Sequence, residues 1–473
     1  MKMYIAGNWT DAPTMKTVTS PYTGETIDET PDATEAQIEQ CLAAAEKAAT
    51  VMAHLPGAER SAILNRAADL LAEHAEDLAR TITMEEGKPL GESKVEVSRM
   101  PDLARLSAFE GTQARGETLP LDAQAGAVGK FGMTLRVPCG VVVAITPFNY
   151  PLLLVLHKVA PALAAGNAVI LKPAGYTPLV ALKMTKLFLE AGLPENALQC
   201  ITGSGARLGK ALCGDRRVRK ISFTGSVPVG EEITRTAGIK KLSLELGSNA
   251  PLVVLPDADL EQVAEVAAIG GYVNAGQVCI STQRILVQRG IYSDFLDALK
   301  PKVEAITVGD PMTEGTRLGA LISEKDAERV DGWVKAAVAS GARVVTGGER
   351  DGAVYQPTIV ADVDPKMRVS CEELFGPAVA VSPVESIDEA IALANDSDFG
   401  LGAGIFTRDI NNAFRFVREV QSGNVMVNWS PLWRADFMPY GGFKNSGIGK
   451  EGPRYAVQEM TELKTAIFHG LDG

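Results

Sequence analysis

The chain has 473 residues, 46% hydrophobic and 22% charged, with a formal net charge of −12. That length exceeds one ordinary core and predicts two or three lobes, and the acidic balance argues against a nucleic acid partner, which would favour a basic face. The six cysteines, at 41, 139, 200, 213, 279 and 371, have no CxxC spacing and the four histidines lie far apart, which reads as reduced thiols in a cytoplasm without disulfides or a metal site.

The N-terminus "MKMYIAGNWTDAP" shows no signal-peptide pattern. Residues 35–115 read mostly as helices, with apolar residues at helical spacing and a stop at Gly87. Residues 118–138 read as a hairpin. From Val141 short β-branched runs appear at 141–146, 168–172, 198–202, 219–224 and 241–245. Helical segments lie between them, at about 151–164, 177–191, 205–213 and 228–237. This alternation predicts an α/β fold with a doubly wound parallel sheet, whose ligands sit at the carboxyl ends of the strands. A second α/β series follows at 250–255, 284–288, 354–360, 378–384, 400–407 and 423–428, and "TELKTAIFHG" reads as a closing strand. The most apolar stretch, 141–171, is broken by prolines, His157 and Lys158, so no membrane span is expected.

The strand ends carry the chemistry. "FTGSVPVG" places Thr224, Gly225, Ser226 and Gly230 between a strand and a helix, where free N–H groups suit a phosphate, though an ordinary turn reads the same way. It is not a GxGxxG fingerprint. Lys172 ends a buried strand before Pro173 and suits a ribose, or is a surface lysine. Asn149 suits an oxyanion donor, or a helix cap. Glu245 in "LELG" suits a general base raised by desolvation, or a buried ion pair. "CEELFGP" offers Glu372, Glu373 and Phe375 for a ribose and a flat ring, or a solvated turn. In "NAGQVCISTQR", Cys279 sits among small and polar residues, as a nucleophile that meets a substrate would.

These motifs, with "PFN" at 147–149, "GQ.C" at 276–279 and "P.GG.K.SG.G.E" at 439–451, occur together in one order over nearly the whole chain. The chain resembles the aldehyde dehydrogenase superfamily. The resemblance implies a Rossmann-like dinucleotide-binding domain (1–117 and 139–246), a catalytic domain (247–441) and a β arm (118–138 and 455–473) that builds homodimers or homotetramers. It implies Cys279 as nucleophile, Glu245 as general base and Asn149 as oxyanion donor. For the cofactor it implies Thr146, Pro147, Lys172, Pro173, Gly175, Gly205, Thr224, Gly225, Ser226, Gly230, Glu373 and Phe375. The small neighbours of Cys279 are then expected to let aldehyde and nicotinamide approach the sulfur.

Two departures matter. Ser248 stands where the family pattern has a second glycine. Gly175 stands where strictly NAD-using relatives often carry a glutamate that repels a 2′-phosphate, so both NADP and NAD are expected to serve. Members that transfer the thioester to coenzyme A generally lack the base, so Glu245 favours hydrolysis. A non-catalytic binding member is disfavoured because Cys279 and Glu245 are both present. The substrate pocket is expected from Tyr150, Leu153, Leu154, His157, Val278, Ile280, Arg434 and Tyr440. Arg434 either grips an anionic group or pairs with Asp436, and His157 either donates to substrate or is packed. "HKVAPALAAGN" and "RADFMPYGGFK" are similar to the branch acting on short polar aldehydes, among them lactaldehyde, glyceraldehyde-3-phosphate, phosphonoacetaldehyde and sulfolactaldehyde; succinate semialdehyde is a further candidate substrate.

Overall fold

Residues 1–470 are described by the computed structural model. Its first sheet has eight strands in the spatial order Asn8–Thr10, Met3–Ile5, Leu198–Cys200, Ala168–Lys172, Val141–Ile145, Val218–Thr224, Lys241–Glu245 and Gly447–Ile448. The five central strands are parallel. Val141–Ile145 and Ala168–Lys172 at the centre are buried on both faces, as their continuous apolar runs require. The strand order reverses between Val141–Ile145 and Val218–Thr224, so a crevice opens beyond Ile145 and Thr224.

A second sheet of seven strands runs Arg343–Thr346, Thr358–Ala361, Ala378–Val384, Thr282–Gln288, Ala250–Val254, Gly402–Phe406 and Asn424–Val427. All pairs except the first are parallel. The strand expected over 354–360 is two pieces, Val354–Tyr355 and Thr358–Ala361, because Pro357 between them has no N–H for a ladder. The expected hairpin and tail form a three-stranded antiparallel sheet: Thr461–Phe468 pairs along the whole of Phe131–Pro138, which also pairs with Thr118–Leu119. Residues 471–473 of the expected arm lie outside the described residues.

The helical N-terminal region is five helices, Glu35–His54, Gly57–Glu73, Ala75–Glu86, Leu90–Ser98 and Met100–Thr112. The third ends at Gly87 in the left-handed conformation, φ +82°. Four strands before Glu35 were not anticipated; they are three to six residues long, and two complete an edge of the first sheet. Gly447–Ile448 completes the other edge against Leu244 and Glu245. The helix Pro453–Glu459 packs on Leu153–Ala164 and Met100–Thr112, so the segment expected as arm from 455 opens with helix, and its strand begins at Thr461 as read. No helix among the described residues is long and apolar enough to cross a membrane.

Candidate active site

Cys279 is delivered by a constrained loop. Asn274 and Ala275 both have φ of +52°, a costly region for residues with a Cβ. Polar bonds hold them there: Asn274 N–H donates to Glu92 (2.8 Å), and its amide donates to Glu86 (2.6 Å) and to the Asn149 carbonyl (3.0 Å). At Gly276 a Cβ would lie 2.1 Å from the Gly376 carbonyl oxygen, so backbone packing requires the glycine.

The loop sets the sulfur at the junction of two cavities. The larger, about 1020 Å³, follows the crevice and is lined by Thr146, Pro147, Asn149, Lys172, Gly205, Thr224, Gly225, Ser226, Glu373 and Phe375. The smaller, about 320 Å³, is walled by Tyr150, Leu153, Leu154, Val278, Ile280, Arg99, Arg434 and Tyr440 with Trp429 and Trp433. Cys279 and Leu154 line both.

The larger cavity suits a dinucleotide. Thr146 Oγ1 and Thr224 Oγ1 are buried without hydrogen-bond partners among the described residues, and such groups are costly unless a ligand satisfies them. Ser226 opens the eleven-residue helix Val227–Ala237 without capping it through its side chain, leaving the helix N–H groups for a phosphate. Lys172 is buried rather than a surface lysine; its ammonium donates to the Pro173 carbonyl (2.8 Å), and burial pulls it down to about 8. Pro173 thus contributes an acceptor behind the cavity. Gly175 is exposed at the rim, and a Cβ there meets nothing within 4 Å.

Gly230 departs from its expected part. It does not line the cavity; a Cβ on it would lie 2.6 Å from Leu246 Cδ2, so it is small to seat the helix on the next strand. The two glutamates of "CEELFGP" separate cleanly. Glu372 is a surface residue bound by Arg368 (2.7 Å), whereas Glu373 turns inward and accepts from the Ser248 N–H (2.8 Å). Burial raises the Glu373 carboxyl to about 7. Phe375 holds φ +49° and meets Phe148 edge-on, ring centroids 5.9 Å apart.

Asn149 is not a helix cap. The N–H groups of Leu152 and Leu153, at the start of the helix Leu153–Ala164, go to Glu96 Oε1 (3.0 and 2.9 Å). The Asn149 amide donates instead to the Gln277 carbonyl (2.8 Å), two residues from the sulfur, which leaves its second N–H free to donate. Its own carbonyl accepts from Lys88 (2.7 Å), a fully buried ammonium between Glu86 (3.1 Å) and Glu96 (2.7 Å). Sequence reasoning missed this cluster. Glu86 and Lys88 flank a helix-stop glycine in "EEGKPL" and look like a solvated turn.

Glu245 is buried, and neither carboxylate oxygen has a hydrogen-bond partner among the described residues, so it is not an ion pair with any of them. Room for it comes from Gly441, where a Cβ would lie 2.8 Å from Glu245 Oε1. Burial, then the charge of Glu451, holds its carboxyl well above the usual range. Glu451 keeps the charge because Lys158 (2.5 Å) and Arg434 (3.2 Å) both contact it. Burial pushes the Cys279 thiol up to about 11, against the pull of Tyr440 and Arg434.

A family model for the aldehyde dehydrogenase family matches residues 9–466. The chain belongs to the aldehyde dehydrogenase family. It is 45% identical to a 3-sulfolactaldehyde dehydrogenase of Priestia aryabhattai, over 99% of this chain and 98% of that one. It is 37% identical to a lactaldehyde dehydrogenase of Methanococcus aeolicus, over 98% and 99%. The structure superposes with a TM-score of 0.97 on an NADP-dependent glyceraldehyde-3-phosphate dehydrogenase from Bacillus halodurans complexed with NADP, at 34% identity over 99% of both chains.

In this aldehyde dehydrogenase one expected substrate contact, His157, and one expected ion pair, Arg434 with Asp436, are revised. His157 does not reach the smaller cavity; it is 1% exposed, and its Nε2 faces Asp436 Oδ1 at 3.2 Å. Burial and the nearby Arg434 lower it to about 4, so it is neutral. Arg434 pairs with Glu451 and not with Asp436, whose partners are Arg99 and His157. Arg99, which the sequence did not single out, stands beside Arg434 in the cavity wall.

Proposed function

We propose that this aldehyde dehydrogenase oxidises a short aldehyde carrying an anionic or hydroxyl group to its acid, using NADP or NAD, through a thioester on Cys279. The carrying observation is the position of Cys279 between a dinucleotide-shaped cavity and a small pocket that bears two arginines. Glu451 is shared by Lys158 and Arg434, so the three together keep a surplus positive charge. Arg434 Nε is buried without a partner, a group that a carboxylate, phosphate, phosphonate or sulfonate would satisfy. The same chemistry fits the sulfolactaldehyde and lactaldehyde substrates named for the relatives.

The residues would divide the work as follows. Lys172, Thr224, Ser226 and Glu373 hold the dinucleotide, and the nicotinamide, when bound, accepts a hydride. Cys279 adds to the aldehyde carbon. Asn149 Nδ2 and the Cys279 N–H hold the oxyanion. Glu245 takes a proton from water, whose oxygen displaces the sulfur and releases the acid. Gly175 leaves room for a 2′-phosphate, hence NADP. The arm exposes Phe131, Leu135, Leu463, Ile467 and Phe468 beside an unpaired strand edge, Thr461–Phe468, which favours pairing with a second copy.

The test follows reduced-nicotinamide absorbance with sulfolactaldehyde, lactaldehyde, glyceraldehyde-3-phosphate, phosphonoacetaldehyde, succinate semialdehyde, propanal and benzaldehyde, each with NADP and NAD. Preference for an anionic or hydroxylated member is expected; best turnover of propanal or benzaldehyde overturns the substrate reading. Strict NAD use, unaltered by Gly175→Glu, overturns the cofactor reading.

A further inference from the structure

Tyr440 Oη lies 3.1 Å from Cys279 Sγ and has no other hydrogen-bond partner among the described residues. Two features fix the ring. The backbone of Tyr440 exchanges hydrogen bonds with Glu451 (3.1 and 2.7 Å), and the Arg434 guanidinium carbon sits 3.8 Å from the ring centroid. The side chain is 2% exposed and packs among Val278, Ile280 and Leu401. Its hydroxyl is therefore a rigid, dry group aimed at the sulfur.

We propose that Tyr440 is a catalytic residue whose hydroxyl donates a hydrogen bond to the Cys279 sulfur in its anionic form, before attack and again when sulfur leaves the thioester. This rests on Cys279 being the nucleophile. Against a neutral thiol either atom can donate. Against a thiolate only Oη–H can, and a hydrogen bond to an ion is roughly twice as strong as a neutral one. The bond therefore favours the charged sulfur over the neutral one, which is what attack needs. In the second half-reaction the water oxygen bonds to the acyl carbon, the C–S bond breaks, and its electron pair stays on sulfur. Tyr440 keeps its proton throughout. The cation over the ring draws electron density from the phenol and strengthens the donor.

The groups that act on the sulfur divide by sign: Tyr440 and Arg434 favour the thiolate, while Glu245, Glu373 and burial oppose it. Tyr440→Phe removes one oxygen from the first set and keeps the ring, the Arg434 contact and the pocket shape.

The experiment measures the rate of iodoacetamide alkylation against pH, and the ultraviolet thiolate absorbance relative to Cys279→Ala, for wild type and Tyr440→Phe without substrate. The thiol midpoint should rise by about one unit and alkylation at fixed pH should fall about tenfold, as for one lost hydrogen bond to a charged acceptor. The kcat should fall by a similar factor, with the KM for aldehyde changed less. An unmoved titration overturns the proposal. Should Tyr440→Phe fail to fold, 3-fluorotyrosine at position 440 keeps the shape and strengthens the donor, so the midpoint must fall; an unmoved midpoint overturns the proposal equally. Dehydrogenase activity surviving in Cys279→Ala would overturn the assignment of the nucleophile, and Tyr440 with it. An inactive Cys279→Ala beside an unmoved Tyr440→Phe titration overturns Tyr440 alone.

Discussion

The Lys88 ammonium donates to the carbonyl oxygen of Asn149 at 2.7 Å, so a buried charge from the helical N-terminal region fixes the residue proposed to hold the oxyanion. The same ammonium neutralises Glu96, whose other oxygen caps the helix that follows Asn149. Lys88→Met would leave Glu86 and Glu96 buried without their countercharge. Removing one partner of a buried ion pair costs about 3–5 kcal/mol, so the thermal transition should drop by several degrees. The kcat should fall as well, because the Asn149 backbone loses a donor. Calorimetry and steady-state rates on the same preparation check both.

Glu373 reaches the dinucleotide cavity because Gly247 has no side chain. A Cβ there would sit 2.5 Å from Glu373 Oε2. Gly247→Ala should displace the carboxylate, break its bond from the Ser248 N–H, and weaken dinucleotide binding by about tenfold, the worth of one hydrogen bond to a charged group. Fluorescence titration with NADP and with NAD reads this directly. Equal affinity in variant and wild type would detach Glu373 from the cofactor.

Much of this was legible in the sequence, for physical reasons. Strands buried on both faces must be continuous apolar runs, so the β-α alternation after Val141 located the crevice, and Thr146, Lys172 and Thr224 fall on it. Residues whose part depends on a distant partner were not legible. Lys88 meets Asn149 across 61 positions, Arg99 meets Asp436 across 337, and Lys158 meets Glu451 across 293. A glycine misled in a similar way: Gly230 looked like a ligand contact but is small because Leu246 presses on it. The strands before Glu35 were too short to show periodicity.

The pH dependence of the two half-reactions follows from two raised groups. Burial holds the Cys279 thiol at about 11, so the thiolate fraction, and the alkylation rate with it, should climb about tenfold per pH unit between about pH 7 and 10. Glu245 also sits well above an ordinary carboxyl. Its base form grows as pH rises, so hydrolysis should fail on the acid side at a pH above that expected for a free glutamate. Glu245→Gln should release about one equivalent of reduced nicotinamide in a burst and then turn over slowly, without that acid limb. Stopped-flow absorbance separates the phases; steady turnover at the wild-type rate would exclude Glu245 as the base.

Arg434→Ala tests the proposed substrate anchor. Glu451 keeps Lys158 at 2.5 Å after the change, so no carboxylate is stranded and stability should fall only modestly. What disappears is the buried guanidinium whose Nε has no partner among the described residues. A charge-assisted bond to substrate is worth about 1.5–3 kcal/mol, so kcat/KM for an anionic aldehyde should fall about 10–100-fold. Propanal makes no such bond and should lose only the smaller share that Arg434 contributes by favouring the Cys279 thiolate. The Arg434→Ala ratio of anionic to apolar kcat/KM is therefore the quantity to measure. An unchanged ratio would mean that Arg434 serves Glu451 and Tyr440 alone and that the substrate is recognised elsewhere in the pocket, with Arg99 as the next residue to change.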